Sequence, residues 1–363
     1  MSSPYLNLKV VDIIRETPDA ITIHFEHPDK INITYKPGQF LTLILPIDGR
    51  EVRRSYSLSS TPHEAPRLAV TVKRVDGGLV SNYLVERLQV GQEVKVMEPL
   101  GNFCLTCASS NQRQVLLFGA GSGITPLMSI LKAVLAGEPN SKVTLLYGNR
   151  DEYTVIFKEQ LQQLVEENPN RLHVEYIYSQ PKHDCEYRGR MNQSLILKIM
   201  ERLQLTRPLE TVYFMCGPEG MMQEVQHALN VLHVPAERIF RESFVSSKLQ
   251  VQEEDLLPQH GTVASSEDDG EITTQTVTII YEGAEYTVEV NPDKTILEAA
   301  LDQDIDLPYS CQAGLCTACR GKCLSGKVHL DESDGLSDAE MEEGYVLNCV
   351  GHPLTSNVVI EIG

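Results

Sequence analysis

The spacing of apolar and polar positions divides the chain into three regions. Residues 5–104 carry short alternating or β-branched runs, separated by turn pairs such as Pro37-Gly38 and Asp48-Gly49, and this pattern predicts strands. Strands at this spacing are typical of a small antiparallel β-barrel. The predicted strands are LNLKVVDII, AITIHFEH, QFLTLILPI, RLAVTVKRV and EVKVMEP.

Between about residues 114 and 244, apolar runs of strand length alternate with runs of helical period. Repeated strand–helix units predict a parallel sheet that is covered by helices. The four units are VLLFGAG with PLMSILKAVLAG, KVTLLYGNR with YTVIFKEQLQQLVEEN, LHVEYIYSQ with NQSLILKIMERL, and TVYFMCGP with GMMQEVQHALNVL.

The pattern changes again near the C-terminal third of the chain. Residues 246–272 are rich in Ser, Gln, Asp and Glu and have no sustained period, which predicts a tether. After it, two strand-like runs, a short helix at ILEAALDQ, a cysteine loop and VVIEIG predict a small α+β domain. The predicted organisation is a β-barrel at 1–110, an α/β domain at 111–245, a linker at 246–272 and an α+β domain at 273–363.

Charge and cysteine content narrow the class of protein. The chain has 31 Lys and Arg against 50 Asp and Glu, a net charge of −19, which argues against binding to nucleic acid or to an anionic membrane. Residues 273–363 alone carry 16 acidic and 4 basic side chains, a net charge of −12. The segment MSSPYLNLKV has no apolar run behind its single Lys, so a cytoplasmic protein is expected. In that compartment the nine cysteines predict a metal site, not disulfides.

Four of the cysteines have the spacing of a plant-type [2Fe-2S] site. The pattern is Cys311-x4-Cys316-x2-Cys319, with Cys349 following after 29 intervening residues. Four thiolates supply two ligands to each iron, and one short loop supplies three of them. A structural zinc site is the alternative, but its cysteines usually come as paired C-x2-4-C knuckles, whereas Cys349 stands alone in the strand-like run YVLNCVGHP. Cys323 lies outside the pattern and is expected to be a buried thiol.

The barrel region contains two segments with the residues that a flavin needs. In RSYS, Arg54 can bind a phosphate, Tyr56 can cover a ring face, and Ser57 can lie near a ring nitrogen. The segment Gly78–Leu84 predicts the entry from a glycine into a helix, where unpaired N–H groups can hold a pyrophosphate.

The α/β region contains two further cofactor segments. Gly119–Pro126 follows a buried strand and predicts a phosphate-binding turn, although Ile124 stands where GxGxxG has its third glycine. Cys216, Gly217 and Pro218 close the fourth predicted strand. A buried cysteine at a strand end is the alternative interpretation of Cys216.

In chain order, RxYS, GxxSxxL, GxGxGxTP, YGNR, CGP and CQAGLCTACRGKC resemble the ferredoxin–NADP reductase superfamily over the whole chain. The members of the superfamily that this chain resembles carry a plant-type ferredoxin domain, of β-grasp fold, at the C-terminus. The resemblance implies an NAD(P)H oxidoreductase that passes electrons through FAD and a [2Fe-2S] cluster to a protein acceptor. In detail it implies an oxygenase of aromatic acyl-CoA degradation as the acceptor. FAD is favoured over FMN because the pyrophosphate-binding GxxSxxL segment is present.

Two other functions stay open at this point. A reductase for another hydroxylase, a desaturase or a ferredoxin-like acceptor is the alternative within the same class. A zinc-stapled scaffold whose nucleotide domain senses NAD(P) is the alternative of another class. The acidity of residues 273–363 further predicts a protein partner with a basic docking face.

The resemblance also implies roles for individual residues. It places Ser57, Cys216 and Glu242 at the reaction site, with Cys216 beside the nicotinamide. The flavin contacts it implies are Arg54, Ser55, Tyr56, Ser57, Val72, Gly78, Val80, Ser81, Thr125 and Phe244. The nucleotide contacts it implies are Gly119, Gly121, Gly123, Cys216, Gly217 and Pro218. The cluster ligands it implies are Cys311, Cys316, Cys319 and Cys349.

The choice between NADPH and NADH depends on the 2′-phosphate. A phosphate dianion needs Arg or Ser donors, whereas a bare ribose is held by an acidic side chain. Arg150 follows the second predicted strand of the α/β region, Ser179 ends the third, and Arg188 and Arg190 follow closely. We therefore expect these four residues to bind NADPH, with NADH as the alternative cofactor and surface arginines as the alternative interpretation.

Overall fold

A computed structural model of the chain contains two compact units, residues 1–244 and residues 245–363. The described residues are 5–47, 49–205, 211–242, 244, 272–281, 283–303, 305, 307–309, 314, 316–331, 333, 335–336 and 338–362, and the side chains of residues 50, 338 and 339 are excluded. The predicted linker, residues 246–272, lies outside this part of the chain except for residue 272.

The first six strands form one antiparallel sheet. They are β1 (Tyr5–Thr17), β2 (Ala20–Glu26), β3 (Phe40–Ile47), β4 (Arg50–Ser57), β5 (Leu68–Lys73) and β6 (Glu93–Met97), in the order β4-β3-β6-β1-β2-β5. A bridge between Leu58 and Val70 joins the two edges, which closes the sheet into the predicted barrel. Side chains alternate across each strand, so Val70 and Val72 fill the barrel while Lys73 is exposed. Helix α1 (Leu79–Arg87) follows β5.

The next six strands form a parallel sheet, as predicted. They are β7 (Gln114–Ala120), β8 (Lys142–Asn149), β9 (Leu172–Tyr178), β10 (Tyr187–Arg188), β11 (Thr211–Cys216) and β12 (Ile239–Glu242), in the order β10-β9-β8-β7-β11-β12. The chain changes direction across the sheet at β7, whose neighbours are β8 and β11. In open α/β sheets, ligands bind beyond the carboxyl ends of the strands at such a point.

Four helices cover this sheet. Their bounds are α2 (Ile124–Gly137), α3 (Lys158–Glu167), α4 (Gln193–Arg202) and α5 (Glu219–Val231). Helix α2 is almost completely buried because its apolar residues face both the sheet and the barrel. Phe103, in the loop that leaves the barrel, packs edge-on against Phe214 of β11 at 5.4 Å between ring centroids. Phe103 therefore joins the hydrophobic core of the parallel sheet, whereas the barrel interior forms a separate core.

The second unit has a mixed sheet, which confirms the predicted α+β class. Its strands are β13 (Gln275–Tyr281), β14 (Ala284–Val290), β15 (Arg320–Ser325), β16 (Val328–Leu330), β17 (Tyr345–Leu347), β18 (Gly351–Pro353) and β19 (Val358–Ile362), with helices α6 (Ile296–Asp302) and α7 (Asp338–Glu342). The main sheet has the order β14-β13-β19-β15-β17, and β16 pairs with β18. Thr295 and Glu298 form a capping box that begins α6. Among the described residues, no helix is long and apolar enough to cross a membrane.

Candidate functional site

The end of barrel strand β4 meets the carboxyl ends of β11 and β12. Ser57 ends β4, Cys216 ends β11 and Glu242 ends β12, and the parallel register pairs Cys216 with Glu242. The Ser57 hydroxyl donates a hydrogen bond to Oε2 of Glu242 at 3.3 Å. All three side chains are buried. The fold therefore brings together the three residues that the sequence assigned to the reaction site.

Burial controls the protonation of this group. It raises the pKa of the Glu242 carboxyl to about 8, although the Ser57 hydrogen bond opposes the shift. Burial, and then the nearby Glu242 charge, also raises the pKa of the Cys216 thiol well above its usual range. At neutral pH both side chains are therefore uncharged, and Glu242 retains a proton next to the Ser57 hydroxyl.

The glycine-rich turn after β7 lies against the end of β11. A Cβ atom on Gly123 would lie 2.1 Å from the Cys216 carbonyl oxygen, so only glycine fits there. A Cβ on Gly217 would likewise lie 3.2 Å from Ala120. Gly121 has a φ of +54°, and α2 begins at Ile124. The closest approach of the turn to the β11 backbone therefore occurs at Gly123, one position before the third glycine of GxGxxG. Because no such approach occurs at position 124, the sequence tolerates Ile124 there.

Three other predicted residues lie in α2, before α5 and after β12. Thr125 is buried in the first turn of α2, where its hydroxyl donates to the Ser122 carbonyl at 3.0 Å. Pro218 is the N-cap residue of α5, and its side chain is exposed. Phe244 follows β12 and is 43% exposed. An aromatic side chain at that position is accessible to a planar ligand.

The RSYS segment lies on an edge strand of the barrel. Arg54 is exposed, and its Nη1 donates to the Arg53 carbonyl at 2.7 Å. The Ser55 hydroxyl is bonded to the Thr42 hydroxyl at 3.0 Å, which ties β4 to β3. Tyr56 is half-buried, and burial raises the pKa of its hydroxyl.

The second predicted flavin segment is the start of α1. Gly78 is the N-cap residue of this helix, and its cap makes no side-chain hydrogen bond. A Cβ on Gly78 would lie 2.6 Å from the Ser81 hydroxyl, which accepts from the Val75 amide at 3.1 Å. Val72 and Val80 are buried in the barrel core. The first turn of α1 thus keeps N–H groups that an anionic pyrophosphate can use.

The four residues expected to bind the 2′-phosphate follow neighbouring strands. Asn149 pairs with Tyr178, and Tyr178 pairs with Arg188, so the residues that follow β8, β9 and β10 share one edge of the sheet. The side chains of Arg150, Ser179, Arg188 and Arg190 are all exposed there. Arg150 Nε lies 3.5 Å from a carboxylate oxygen of Asp151. This edge therefore presents three guanidinium groups and a hydroxyl together.

Three of the four predicted cluster cysteines lie in the described part of the chain. Cys316, Cys319 and Cys349 are buried, and Cys311 lies outside the described residues. The prediction that YVLNCVGHP is one strand is wrong, because β17 ends at Leu347 and β18 begins at Gly351. Cys349 lies in the intervening turn.

A side chain next to Cys349 fastens this turn to the cysteine loop. The backbone and side-chain amides of Asn348 both donate to the Cys319 carbonyl, at 3.2 and 2.8 Å. Cys323 is half-buried, as a residue of β15, and its thiol donates to the Ser325 carbonyl at 3.2 Å. The fold therefore places Cys349 next to the loop despite its distance in sequence, and it gives Cys323 a separate backbone partner.

Lys73 is a candidate binding residue that the sequence analysis missed. It ends β5 on the barrel, and its Nζ lies 3.6 Å from the position of a Cβ atom on Gly121. A cation there adds a charge to the glycine turn that anionic ligands favour. The alternation of Val70, Val72 and Lys73 indicates an outward side chain, but only the packing of the two domains shows what it faces.

Models of three protein families match the chain in succession. "Oxidoreductase FAD-binding domain" matches residues 7–104, "Oxidoreductase NAD-binding domain" matches residues 117–227, and "2Fe-2S iron-sulfur cluster binding domain" matches residues 279–354. With the fold and site above, these matches define an NAD(P)H-dependent oxidoreductase with FAD and a [2Fe-2S] cluster as its cofactors. The zinc-stapled scaffold is thereby excluded.

Curated relatives match along nearly the whole chain. A component of the 1,2-phenylacetyl-CoA epoxidase of Escherichia coli is 36% identical over 98% of this chain and 97% of its own. The ferredoxin reductase component of 3-ketosteroid-9-alpha-monooxygenase from Rhodococcus rhodochrous is 36% identical over 98% and 96%. The chain belongs to the ferredoxin–NADP reductase superfamily, in the group with a C-terminal [2Fe-2S] ferredoxin domain. The predicted resemblance to this superfamily, with a ferredoxin domain at the C-terminus, is confirmed.

Solved structures show the same fold. Phthalate dioxygenase reductase has a TM-score of 0.64 and 22% identity, with 99% of this chain and 100% of that chain covered. The Amycolatopsis cytochrome P450 reductase GcoB has a TM-score of 0.57 and 26% identity over 67% of this chain and 71% of its own. The likeness to phthalate dioxygenase reductase extends over all three domains of this chain.

Proposed function

We propose that this chain is the reductase component of an oxygenase that acts on phenylacetyl-CoA, and that NADPH is its electron donor. The likeness to the E. coli 1,2-phenylacetyl-CoA epoxidase component over 98% of the chain carries this proposal. The buried Ser57, Cys216 and Glu242 group supports it, since it lies where both cofactor domains meet.

The side chains around this group fit a flavin and a nicotinamide. FAD supplies the change from a hydride to single electrons, and a plant-type cluster has a potential of about −400 mV, low enough to reduce a further metal centre. Glu242 holds a proton at neutral pH, and Ser57 orients that carboxyl from the barrel side. The small Cys216 side chain leaves room at the end of β11, and burial of all three residues excludes water.

The remaining contacts follow from the same arrangement. The uncapped start of α1 and the exposed Arg54 would hold the FAD pyrophosphate, and the glycine turn with Lys73 would hold the nucleotide pyrophosphate. Cys311, Cys316, Cys319 and Cys349 would ligate the cluster.

Reconstitution with purified oxygenases tests the proposed acceptor. We expect NADPH-driven turnover with a phenylacetyl-CoA epoxidase and not with a 3-ketosteroid or glycine betaine monooxygenase. Because residues 273–363 are strongly acidic, turnover at limiting partner concentration should also fall as salt is raised from about 0.05 to 0.5 M, which shortens the screening length several-fold. Equal rates with all three oxygenases would contradict the proposed pathway. Turnover that does not change with salt would contradict only the prediction that the partner protein has a basic docking face.

A second candidate acceptor has specific support. The ketosteroid monooxygenase reductase of R. rhodochrous shares the same 36% identity over 98% of the chain, and a glycine betaine monooxygenase reductase subunit of Chromohalobacter salexigens is 30% identical over 98%. The alternative proposal is therefore a reductase for a different oxygenase, and the reconstitution above distinguishes the two.

The preference for NADPH predicts the effect of replacing Arg150 by Ala. Loss of a charge-assisted contact worth about 1.5–3 kcal/mol should raise KM for NADPH roughly 10- to 150-fold. KM for NADH should change little, because its ribose carries no phosphate. Steady-state reduction of ferricyanide measures both constants. Arg67→Ala serves as the control, since this exposed barrel arginine pairs with Glu26 at 2.8 Å. Equal kcat/KM for both nucleotides in the unaltered protein would contradict the preference.

A further inference from the structure

A polar cavity of about 670 Å³ lies between the barrel and the nucleotide domain. Glu16 of β1 and Thr22 of β2 line it from the barrel, and Lys132 of α2 and Phe157 line it from the nucleotide domain. Among the described residues of this cavity, Glu16 is a barrel side chain that bonds the backbone of the nucleotide domain directly.

Two hydrogen bonds fix the Glu16 carboxylate. Oε1 accepts from the Thr22 hydroxyl at 2.7 Å, and Oε2 accepts from the Phe157 amide at 3.2 Å. The Thr22 hydroxyl is bonded in turn to the Thr71 hydroxyl at 2.9 Å. One carboxylate oxygen of Glu16 is thus bonded within the barrel, and the other is bonded to the nucleotide domain.

The contact is made to a strained residue. Phe157 is the N-cap residue of α3, with φ of 61° and ψ of 26°, and its ring is buried in the core of the nucleotide domain. A non-glycine residue in the left-handed region costs roughly 1–2 kcal/mol. A buried amide also needs a partner. Glu16 therefore stabilises a backbone conformation that Phe157 does not favour by itself.

From Phe157 the contacts continue to the phosphate-binding turn. The preceding residue, Ile156, is buried in the same hydrophobic core as Phe157 and the Tyr147 ring. The Tyr147 hydroxyl donates to the Gly121 carbonyl at 2.9 Å. Gly121 has a φ of +54° and lies beside Lys73. Arg150 begins the segment 150–157, which ends at Phe157. The proposed nucleotide contacts of Arg150 and of the Gly121 turn therefore both depend on the position of this segment.

We infer that Glu16, a residue of the flavin barrel, is a positioning residue for NAD(P)H. It holds the segment 150–157, and through Tyr147 the Gly121 turn, in the conformation that receives the nucleotide. This inference rests on the proposed nucleotide site at the carboxyl edge of the parallel sheet.

An ion pair across the same cavity provides a matched control. Lys132 Nζ lies 2.7 and 2.9 Å from the two carboxylate oxygens of Glu64. This pair joins the barrel to α2 and has no described contact with the segment 150–157. Glu64→Ala therefore removes a cross-domain carboxylate without removing the contact to Phe157.

The test compares Glu16→Ala, Glu16→Gln and Glu64→Ala in the full-length holoenzyme. Loss of the bond to Phe157 in Glu16→Ala should raise KM for NAD(P)H about tenfold in ferricyanide reduction, with kcat within about twofold and FAD content unchanged. Glu16→Gln should restore KM to within about twofold, because its amide oxygen can accept from Phe157 while its NH2 group donates to the Thr22 hydroxyl. Glu64→Ala should leave KM unchanged.

Three results would overturn the inference. These are an unchanged KM in Glu16→Ala, a rise in KM that Glu16→Gln does not reverse, and the same rise in Glu64→Ala. Failure of the proposed function is distinguishable from all three, because it appears in the unaltered protein as equal turnover with the three oxygenases or as equal kcat/KM for NADPH and NADH, and neither result depends on Glu16.

Discussion

Replacing Cys349 by alanine should abolish electron transfer to the oxygenase while NAD(P)H-driven reduction of ferricyanide continues. Cys349 lies in a turn of the second compact unit, whereas Ser57, Cys216 and Glu242 lie in the first. Under the proposed ligation the variant lacks one of four thiolates, so we expect it to lose the cluster, whereas the described contacts of Ser57, Cys216 and Glu242 are unchanged. We expect oxygenase-coupled turnover to fall at least about 100-fold and ferricyanide turnover to change less than about twofold.

Cys323→Ala is the matched control for this prediction. It removes a thiol from the same domain, but that thiol donates to the Ser325 carbonyl and lies outside the four-cysteine pattern. Visible absorption should show flavin and cluster bands in Cys323→Ala and only flavin bands in Cys349→Ala. Normal oxygenase turnover by Cys349→Ala would show that electrons leave directly from the flavin.

The second large effect is a dependence of stability on pH that comes from Glu242. Its pKa is raised from the ordinary 4.5 to about 8 by burial, so folding favours the protonated form. The unfolded chain ionises above pH 4.5, and the folded chain therefore loses stability progressively until the pH reaches about 8. Glu242→Gln cannot ionise, so it should be more stable than the unaltered protein at pH 9 by roughly 3–5 kcal/mol and equally stable near pH 4.5.

Glu138→Gln is the control, because the stability that Glu138 contributes depends on pH with the opposite sign. Burial of Glu138 alone would raise its pKa, but hydrogen bonds from Arg113, Asn111 and Ser141 lower the pKa overall. Its ionised form therefore stabilises the fold above pH 4.5, and this contribution is lost as the pH falls through its lowered pKa. Urea unfolding measures the difference, for Glu138→Gln at about pH 3, 4 and 7 and for Glu242→Gln at about pH 5, 7 and 9. A constant effect of Glu242→Gln across this range would show that Glu242 is ionised throughout.

Much of the fold follows from local patterns that the sequence displays. The β-branched run RLAVTVKRV predicts strand β5, and the Thr295 and Glu298 pair fits the start of α6. The strand–helix repeats predict the parallel sheet because each unit buries its own apolar face. These features depend on residues that are close together in the chain.

The parts that the sequence did not predict depend on distant residues. Ile124 departs from the expected glycine motif because the tight contact is between Gly123 and the Cys216 carbonyl. Lys73 and Glu16 lie on the outer face of barrel strands, where an exposed charge is common. Their contacts with Gly121 and Phe157 exist only because the nucleotide domain packs against that face. Local periodicity carries no information about such packing.

The two hydrogen bonds from Asn348 to the Cys319 carbonyl set an order for assembly of the iron–sulfur centre. They join the turn after β17 to the cysteine loop, and β17 pairs with β15 in a register that sets Arg320 opposite Leu347. The three-cysteine loop is synthesised earlier, but under the proposed ligation it lacks its fourth thiolate until Cys349 is in place. We therefore expect iron to be retained only by chains whose C-terminal segment has folded, so that metal content should report on the completeness of this domain.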